Sequence, residues 1–182
     1  MKQNMRKRTP LAVLLALCLA MQLCVPAAMA SNRLMRAGSA AIAQIEEEEG
    51  FRAEKYSSGG KWYIGYGTEC GAEDYPEGIT REEAELLLMS KVEAYEAKLN
   101  DFFGRYDVTP TQGQFDALIC FSYNFGTGWM SGTSDLVKIA RGEKDATRLE
   151  VAHAFGEWCH SGGQAQAGLA DRRLQEAAIY LD

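Results

Sequence analysis

Apolar positions along this chain change their spacing several times, and each change marks a change of element. In residues 35–49, Met35, Ile42 and Ile45 fall at helical spacing with small Gly38 in the same stripe, and Gly50 is placed to end a helix. Residues 55–68 differ: Tyr56, Trp62, Tyr63, Ile64 and Tyr66 surround Ser57-Ser58-Gly59-Gly60, which predicts a small hairpin. Thr80 is a good N-cap and Glu83, three residues on, completes a capping box, so a second helix is expected through Leu86, Leu87 and Val92 to about Leu99. Residues 100–108 read as a connector, and Thr109-Pro110 as the cap and first turn of the next helix. From Phe115 to Phe125 that helix is apolar on nearly every face, which places it in the middle of a fold. Three shorter helices are expected near residues 134–141, 145–158 and 169–181. The sum is an α+β domain, mainly helical, with a small N-terminal β-hairpin or sheet lobe and a central buried helix.

The first thirty residues read as an address. Lys2, Arg6, Lys7 and Arg8 precede an apolar run over 11–25, Pro26 breaks it, and Ala28-Met29-Ala30 offers small residues for a signal peptidase. The run is short for a permanent membrane anchor, so a cleaved signal peptide (1–30) and a secreted, cell-wall location are expected, with no stable anchor. An anchor released later is the lesser alternative. Without those four basic residues, 15 Lys+Arg face 25 Asp+Glu, a formal charge of −10. Such a surface argues against nucleic acid as a partner, because phosphate binding needs a positive footprint. It also disfavours tight adsorption to an anionic wall.

Residues 31–182 suffice for one domain with a real core. They keep three cysteines, Cys70, Cys120 and Cys159, which permit at most one disulfide. A Cys70–Cys159 bridge is one option. No spacing suits zinc, and adjacent Cys159-His160 make a poor metal clip, so neither metal nor cofactor is expected.

Glu46 to Glu49 form an acidic run that is ordinarily a solvated face. Glu49, however, falls seven positions after Ile42 and four after Ile45, on the buried stripe at the helix end where the hairpin begins. Glu46 lies beside that stripe, while Glu47 and Glu48 point away. Apolar surface disfavours the charged form of a carboxyl, and the partial negative charge of a helix C-terminus pushes the same way. A general acid that must protonate a glycosidic oxygen near neutral pH needs that property. A capped or salt-bridged structural glutamate is the competing reading.

Glu49-Gly50-Phe51, Tyr56 and Ile64-Gly65-Tyr66-Gly67-Thr68 together resemble the active-site stretch of phage-type lysozymes, the endolysins of tailed phages. The resemblance continues, in order, through Gln114-Phe115-Asp116-Ala117-Leu118, Phe121-Ser122-Tyr123-Asn124-Phe125-Gly126, and Gly168-Leu169 with Arg172-Arg173 and Glu176. It implies a lysozyme-like fold over 31–182, with a sheet-bearing lobe, a helical lobe and a sugar cleft between them. The implied enzyme is a glycoside hydrolase, a muramidase, with Glu49 as proton donor. Its partner would be the peptidoglycan glycan strand, and a monomer is the expected state. Tyr123 and Asn124 match cleft positions in the family, and with Tyr66 and Thr68 they are the candidate substrate-binding residues.

Two positions depart from the family pattern. The second family carboxylate lies in the hairpin turn, where this chain has Ser57-Ser58-Gly59-Gly60. The threonine before Ile-Gly is Tyr63 here. Ser58 and Tyr63 are therefore the candidate second-site positions, without the family's chemistry. The chain could hydrolyse with Glu54, Glu69 or Asp74 positioning water. It could act as a lytic transglycosylase, in which one carboxyl serves as acid and then base. It could also have kept the cleft as a glycan-binding or regulatory module.

Trp62, Tyr63 and Tyr66 suit sugar stacking or hairpin packing equally. Asn124, polar in a buried helix, needs a partner that a substrate group could supply. The resemblance implies that Arg172 or Arg173 could hold the active-site carboxyl, as a basic residue of the terminal helix does in the family; a surface pair is the competing reading. Cys120 with His153 or His160 is the rival, peptidase-like reading. A nucleophilic thiol needs an accessible electropositive setting, which an apolar helical run does not offer.

Overall fold

The computed structural model describes residues 34–182; the expected leader, residues 1–30, lies outside them. Helix α1 spans Ser39–Glu49 and buries Ala41 and Ile45. It begins four residues later than the stripe suggested, because residues 35–38 are held extended by buried acids of other elements. Ala37 N–H donates to Glu96 Oε1 at 2.7 Å and Gly38 N–H to Asp116 Oδ1 at 2.9 Å. A Cβ on Gly38 would lie 2.7 Å from Asp116 Oδ2, so only glycine lets the chain approach. These two acids are structural: they anchor the entry to the helix that carries Glu49.

Strands β1 (Arg52–Ser58), β2 (Lys61–Gly65) and β3 (Thr68–Cys70) follow as one antiparallel sheet in that order. The expected hairpin is present, and a third strand widens it. Tyr56 pairs with Tyr63 and Ser58 with Lys61, while Gly59 and Gly60, at φ 58° and 79°, form a two-residue turn of the kind that matches strand twist. Gly65 presses the sheet onto the next helix: a Cβ there would meet Ala84 Cβ at 3.0 Å and Ile79 Cδ1 at 3.2 Å.

Helix α2, Arg81–Tyr106, starts with the predicted Thr80–Glu83 capping box. It does not stop at Leu99. Phe102 and Phe103 continue the buried stripe at helical spacing, and Asp107, in the left-handed region, ends it. Helix α3, Gln112–Phe125, consequently begins later than expected: Thr111, not Thr109, is the N-cap and Gln114 completes its capping box. Phe115 through Tyr123 are all buried, so α3 is the central helix and packs on α1 and α2.

After a 3₁₀ turn at Gly128–Ser131 come α4 (Asp135–Ala140), α5 (Arg148–Gly156), a two-residue ribbon β4–β5 (His160–Ser161, Gln164–Ala165) and α6 (Ala167–Tyr180). Sequence periodicity placed the three helices and missed the ribbon, whose strands are too short to show alternation. Helix α6 packs along α3 and α5. Its face carries Arg172, Arg173 and Glu176 into the interior. Cys70, Cys120 and Cys159 are free thiols, so the optional Cys70–Cys159 bridge is not formed. No helix among the described residues is long and apolar enough to cross a membrane.

Candidate active site

Where the sheet meets α2 and α3, a groove of about 240 Å³ is lined by Glu49, Tyr56, Ser58, Tyr63, Gly67, Lys91, Tyr123 and Asn124. Larger depressions of about 410 and 450 Å³ exist, but neither is lined by any residue of the 49–68 stretch. One of about 450 Å³ has Asp101 as its acid, and that acid is already paired with Arg105. The groove is assigned as the site on its residues, not on its volume.

Glu49 reaches it as the last residue of α1, one turn after buried Ile45. Its side chain is 21% exposed, half out of water, as its place on the stripe predicted. What the stripe could not reveal is the partner: Arg172 Nη2 donates to Glu49 Oε1 at 2.7 Å across 123 positions of sequence. The other oxygen stays uncovered because Gly67 has no side chain. With φ +76°, a Cβ there would stand 3.3 Å from Glu49 Oε2 and 4.0 Å from the Tyr56 hydroxyl. One oxygen is thus tied and the other is open beside the groove.

Arg172 is the hub behind the carboxyl. Its Nε lies 3.6 Å from Glu48 Oε2 and 3.8 Å from Glu176 Oε1. Glu48, expected to face solvent, is turned inward toward this guanidinium, and its Oε1 accepts from Gln44 Nε2 at 2.9 Å. Arg173 donates from Nη2 to Glu176 Oε1 at 2.7 Å and to Asn124 Oδ1 at 3.0 Å. Burial pushes the Glu176 carboxyl up to about 8, against the pull of Arg173 and Arg172. The same burial lowers the Arg173 pKa.

Several site expectations are revised by this geometry. Tyr66 is buried beneath the groove, and its hydroxyl accepts from Arg81 Nη1 at 2.8 Å. Thr68 does not line the groove either, since its Oγ1 is shut away from solvent. Asn124 is exposed rather than buried, and Arg173 is the partner its oxygen required. Tyr123 presents part of its ring to the groove, but its hydroxyl is spent on Tyr66 O at 2.7 Å. Ser58 and Tyr63 do line the groove. Trp62 does not, while Tyr56 does, its ring centroid 5.7 Å from that of Tyr63 and tilted by 30°.

None of the three acids offered as substitutes for the absent hairpin carboxylate lines the groove. Glu69 pairs with Lys61 at 2.8 Å, Asp74 accepts from Gly71 N–H at 2.6 Å, and Glu54 is exposed on β1. Glu49 is the one carboxyl among the lining residues. Cys120 is 2% exposed, and burial pushes its thiol up to about 12, which removes it as a nucleophile. No cluster of three His, Cys, Asp or Glu side chains that could hold a metal occurs among the described residues.

Lys91 was missed. It lies seven residues after Ala84 and three after Leu88, both fully buried, so its place at the edge of the α2 stripe was the available signal. Its Nζ stands 3.9 Å from the Tyr123 ring centroid and donates to Gly67 O at 3.3 Å. Burial lowers its pKa, opposed by the Glu49 charge.

Comparison with known proteins follows the same outline. The sequence matches the phage lysozyme family over residues 46–176. The endolysin of Bacillus phage B103 is 34% identical over 151 residues, which cover 81% of this chain and 54% of that protein. The chain spans about half the length of the curated relatives it matches. Among solved structures, the endolysin from Escherichia coli O157:H7 phage FAHEc1 is similar at a TM-score of 0.68 and 32% identity, covering 81% of this chain and 94% of that one. The muramidase domain of SpmX from Asticaccaulis excentricus is similar at 0.65 and 28% identity, covering 81% and 98%.

Proposed function

The chain belongs to the phage lysozyme family, and from that premise we propose that it is an exported muramidase. Its substrate is the glycan strand of peptidoglycan, cut between N-acetylmuramic acid and N-acetylglucosamine, with Glu49 as general acid. One observation supports this above the others: a half-buried carboxyl with one oxygen fixed by Arg172 and the other open to a groove.

Chemistry follows from that placement. Arg172 holds the plane of the carboxyl, so the proton on the free oxygen is delivered in one direction, to the glycosidic oxygen. As the bond breaks, positive charge gathers on the sugar ring, and the carboxylate left on Glu49 stabilises it. That carboxylate is then the one carboxyl base lining the groove. It takes a proton from water arriving on the same face, which regenerates the acid and retains configuration. Asn124, its oxygen fixed by Arg173, keeps its amide NH₂ for an acceptor on the sugar. Tyr56 and Tyr63 offer ring faces for the pyranose.

A second reading shares every residue. With a single carboxyl in the groove, the muramic 6-hydroxyl can attack in place of water, giving its proton to Glu49 and leaving a 1,6-anhydro ring. Export rests on residues 1–30, and a monomer acting in the wall completes the proposal.

Purified residues 31–182 should clear a peptidoglycan suspension, and Glu49→Gln should abolish clearing while keeping the same circular dichroism. Mass spectrometry of the fragments separates the routes: new reducing ends mean hydrolysis, anhydro ends mean the intramolecular route. Clearing that survives Glu49→Gln would remove this residue from the mechanism. Tight glycan binding with neither product would instead leave a binding module.

A further inference from the structure

The groove holds a charge that the reaction above does not use. Lys91 is half-buried, yet no Asp or Glu lies within ion-pair distance of it among the described residues. Glu49 is committed to Arg172 and Glu69 to Lys61. An ammonium has three donor hydrogens. Here one is engaged, at the long distance of 3.3 Å to Gly67 O, and the Tyr123 ring face at 3.9 Å supports the cation without neutralising it. A partly desolvated, unpaired cation is costly to keep. In a chain with 25 acidic against 19 basic side chains, its isolation is not for want of carboxylates.

We propose that Lys91 is a specificity-determining residue that binds a carboxylate carried by the wall strand, an inference that rests on the muramidase reading. The lining of the groove holds one carboxyl, Glu49, whose Oε1 is bonded to Arg172, and one ammonium, Lys91, which is left facing the groove without an ion-pair partner; that setting favours an anionic strand over a neutral N-acetylglucosamine polymer. Position narrows the ligand. Lys91 touches Gly67, and Gly67 is the residue next to the open oxygen of Glu49. The recognised carboxylate therefore belongs to a sugar at or beside the scissile bond. Two sources share that chemistry: the lactyl ether carboxyl of muramic acid on strands without peptide, and a carboxylate of the stem peptide.

Binding measured on Glu49→Gln protein, which leaves the ligand intact, tests this by titration calorimetry. The ligands are an N-acetylglucosamine–N-acetylmuramic acid tetrasaccharide with its lactyl carboxyls free or methylamidated, and the same tetrasaccharide bearing Ala–Glu stems with carboxylates free or amidated. A charge-assisted hydrogen bond should make one free form bind about tenfold tighter than its amide. The pair showing the preference identifies the source. Lys91→Gln should collapse that ratio to about one, and Lys91→Arg should keep it. Equal affinity within both pairs would overturn the inference and leave the muramidase reading standing, since that reading is decided separately by fragment analysis. Failure of every strand ligand to bind would overturn both. Because the ligand comparison already discriminates on the Lys91 protein, a Lys91→Gln variant that does not fold would not rescue the idea.

Discussion

Replacing Gly67 by alanine puts one methyl group against the Glu49 carboxyl, the proposed general acid. Two separable costs follow. Gly67 sits at φ +76°, where an L-residue is less stable by about 1–2 kcal/mol. In a domain of this size that lowers the melting temperature by roughly 2–8 °C. The second cost is local. The new Cβ lies 3.3 Å from Glu49 Oε2, and Glu49 cannot retreat freely because Arg172 grips its other oxygen at 2.7 Å. The carboxyl must shift by a few tenths of an ångström. A misplacement of 1 Å costs about a hundredfold in rate, so a loss of about tenfold is expected. Gly142→Ala separates the two costs. It has the same kind of backbone, φ +68°, but its Cβ would meet Val108 Cγ2 at 3.4 Å, an ordinary contact away from the groove. Initial rates of peptidoglycan clearance, taken well below both melting temperatures, should fall for Gly67→Ala and hold for Gly142→Ala while both melt lower. Equal rate losses in the two variants, or full rate in Gly67→Ala, would refute the idea that the empty space beside Glu49 Oε2 matters.

Two further outcomes test the support behind Glu49. Arg172→Met removes the guanidinium shared by Glu48, Glu49 and Glu176; it should cost about 3 kcal/mol in urea unfolding, as for other broken buried pairs, and a cost below about 1 kcal/mol would show the network to be ornamental. Glu176 gives a pH signature, since burial holds its folded pKa near 8 against an unfolded value of 4.5. Between those values the unfolded chain has released a proton that the folded protein keeps. Stability present at low pH is therefore lost as pH rises through that window, by at most about 1.4 kcal/mol per unit. Unfolding midpoints at several pH values should show this slope in the native chain and a flatter one in Glu176→Gln; identical slopes would acquit Glu176.

Much of the fold was legible because its determinants are local. The Thr80–Glu83 capping box and the closing glycines at 50 and 126 are short-range devices, and each works as read. The errors fall where distant contacts override local signals. Thr109-Pro110 is a valid helix start in isolation, but Phe102 and Phe103 carry α2 on to Tyr106, and the next helix starts at Thr111, which forms a capping box with Gln114. Residues 35–38 carry a helical stripe, yet Asn100, Glu96 and Asp116, some sixty to eighty positions away, take the backbone N–H groups of Met35, Ala37 and Gly38 and hold them out of the helix.

The site divides along the same line. Glu49 could be singled out because its distinguishing property, a place on the buried stripe at a helix end, is written in its spacing from Ile42 and Ile45. Its partner was within reach only through the family resemblance, which offered Arg172 or Arg173, because no local spacing ties Glu49 to the last helix of the chain. Lys91 was lost for the complementary reason: a lysine at the edge of a stripe ordinarily runs its stem along the surface and leaves its ammonium in water. Its significance appears only when every nearby acid has been assigned to another partner. The absent hairpin acid and the solitary lysine are then two aspects of one arrangement. A carboxylate in the turn, where Ser58 lines the groove, would have stood in the same groove as the Lys91 ammonium, which makes no ion pair among the described residues. With Ser58 in that place, the turn adds no negative charge beside Lys91, and the proposed partner of that ammonium is therefore a carboxylate on the strand itself.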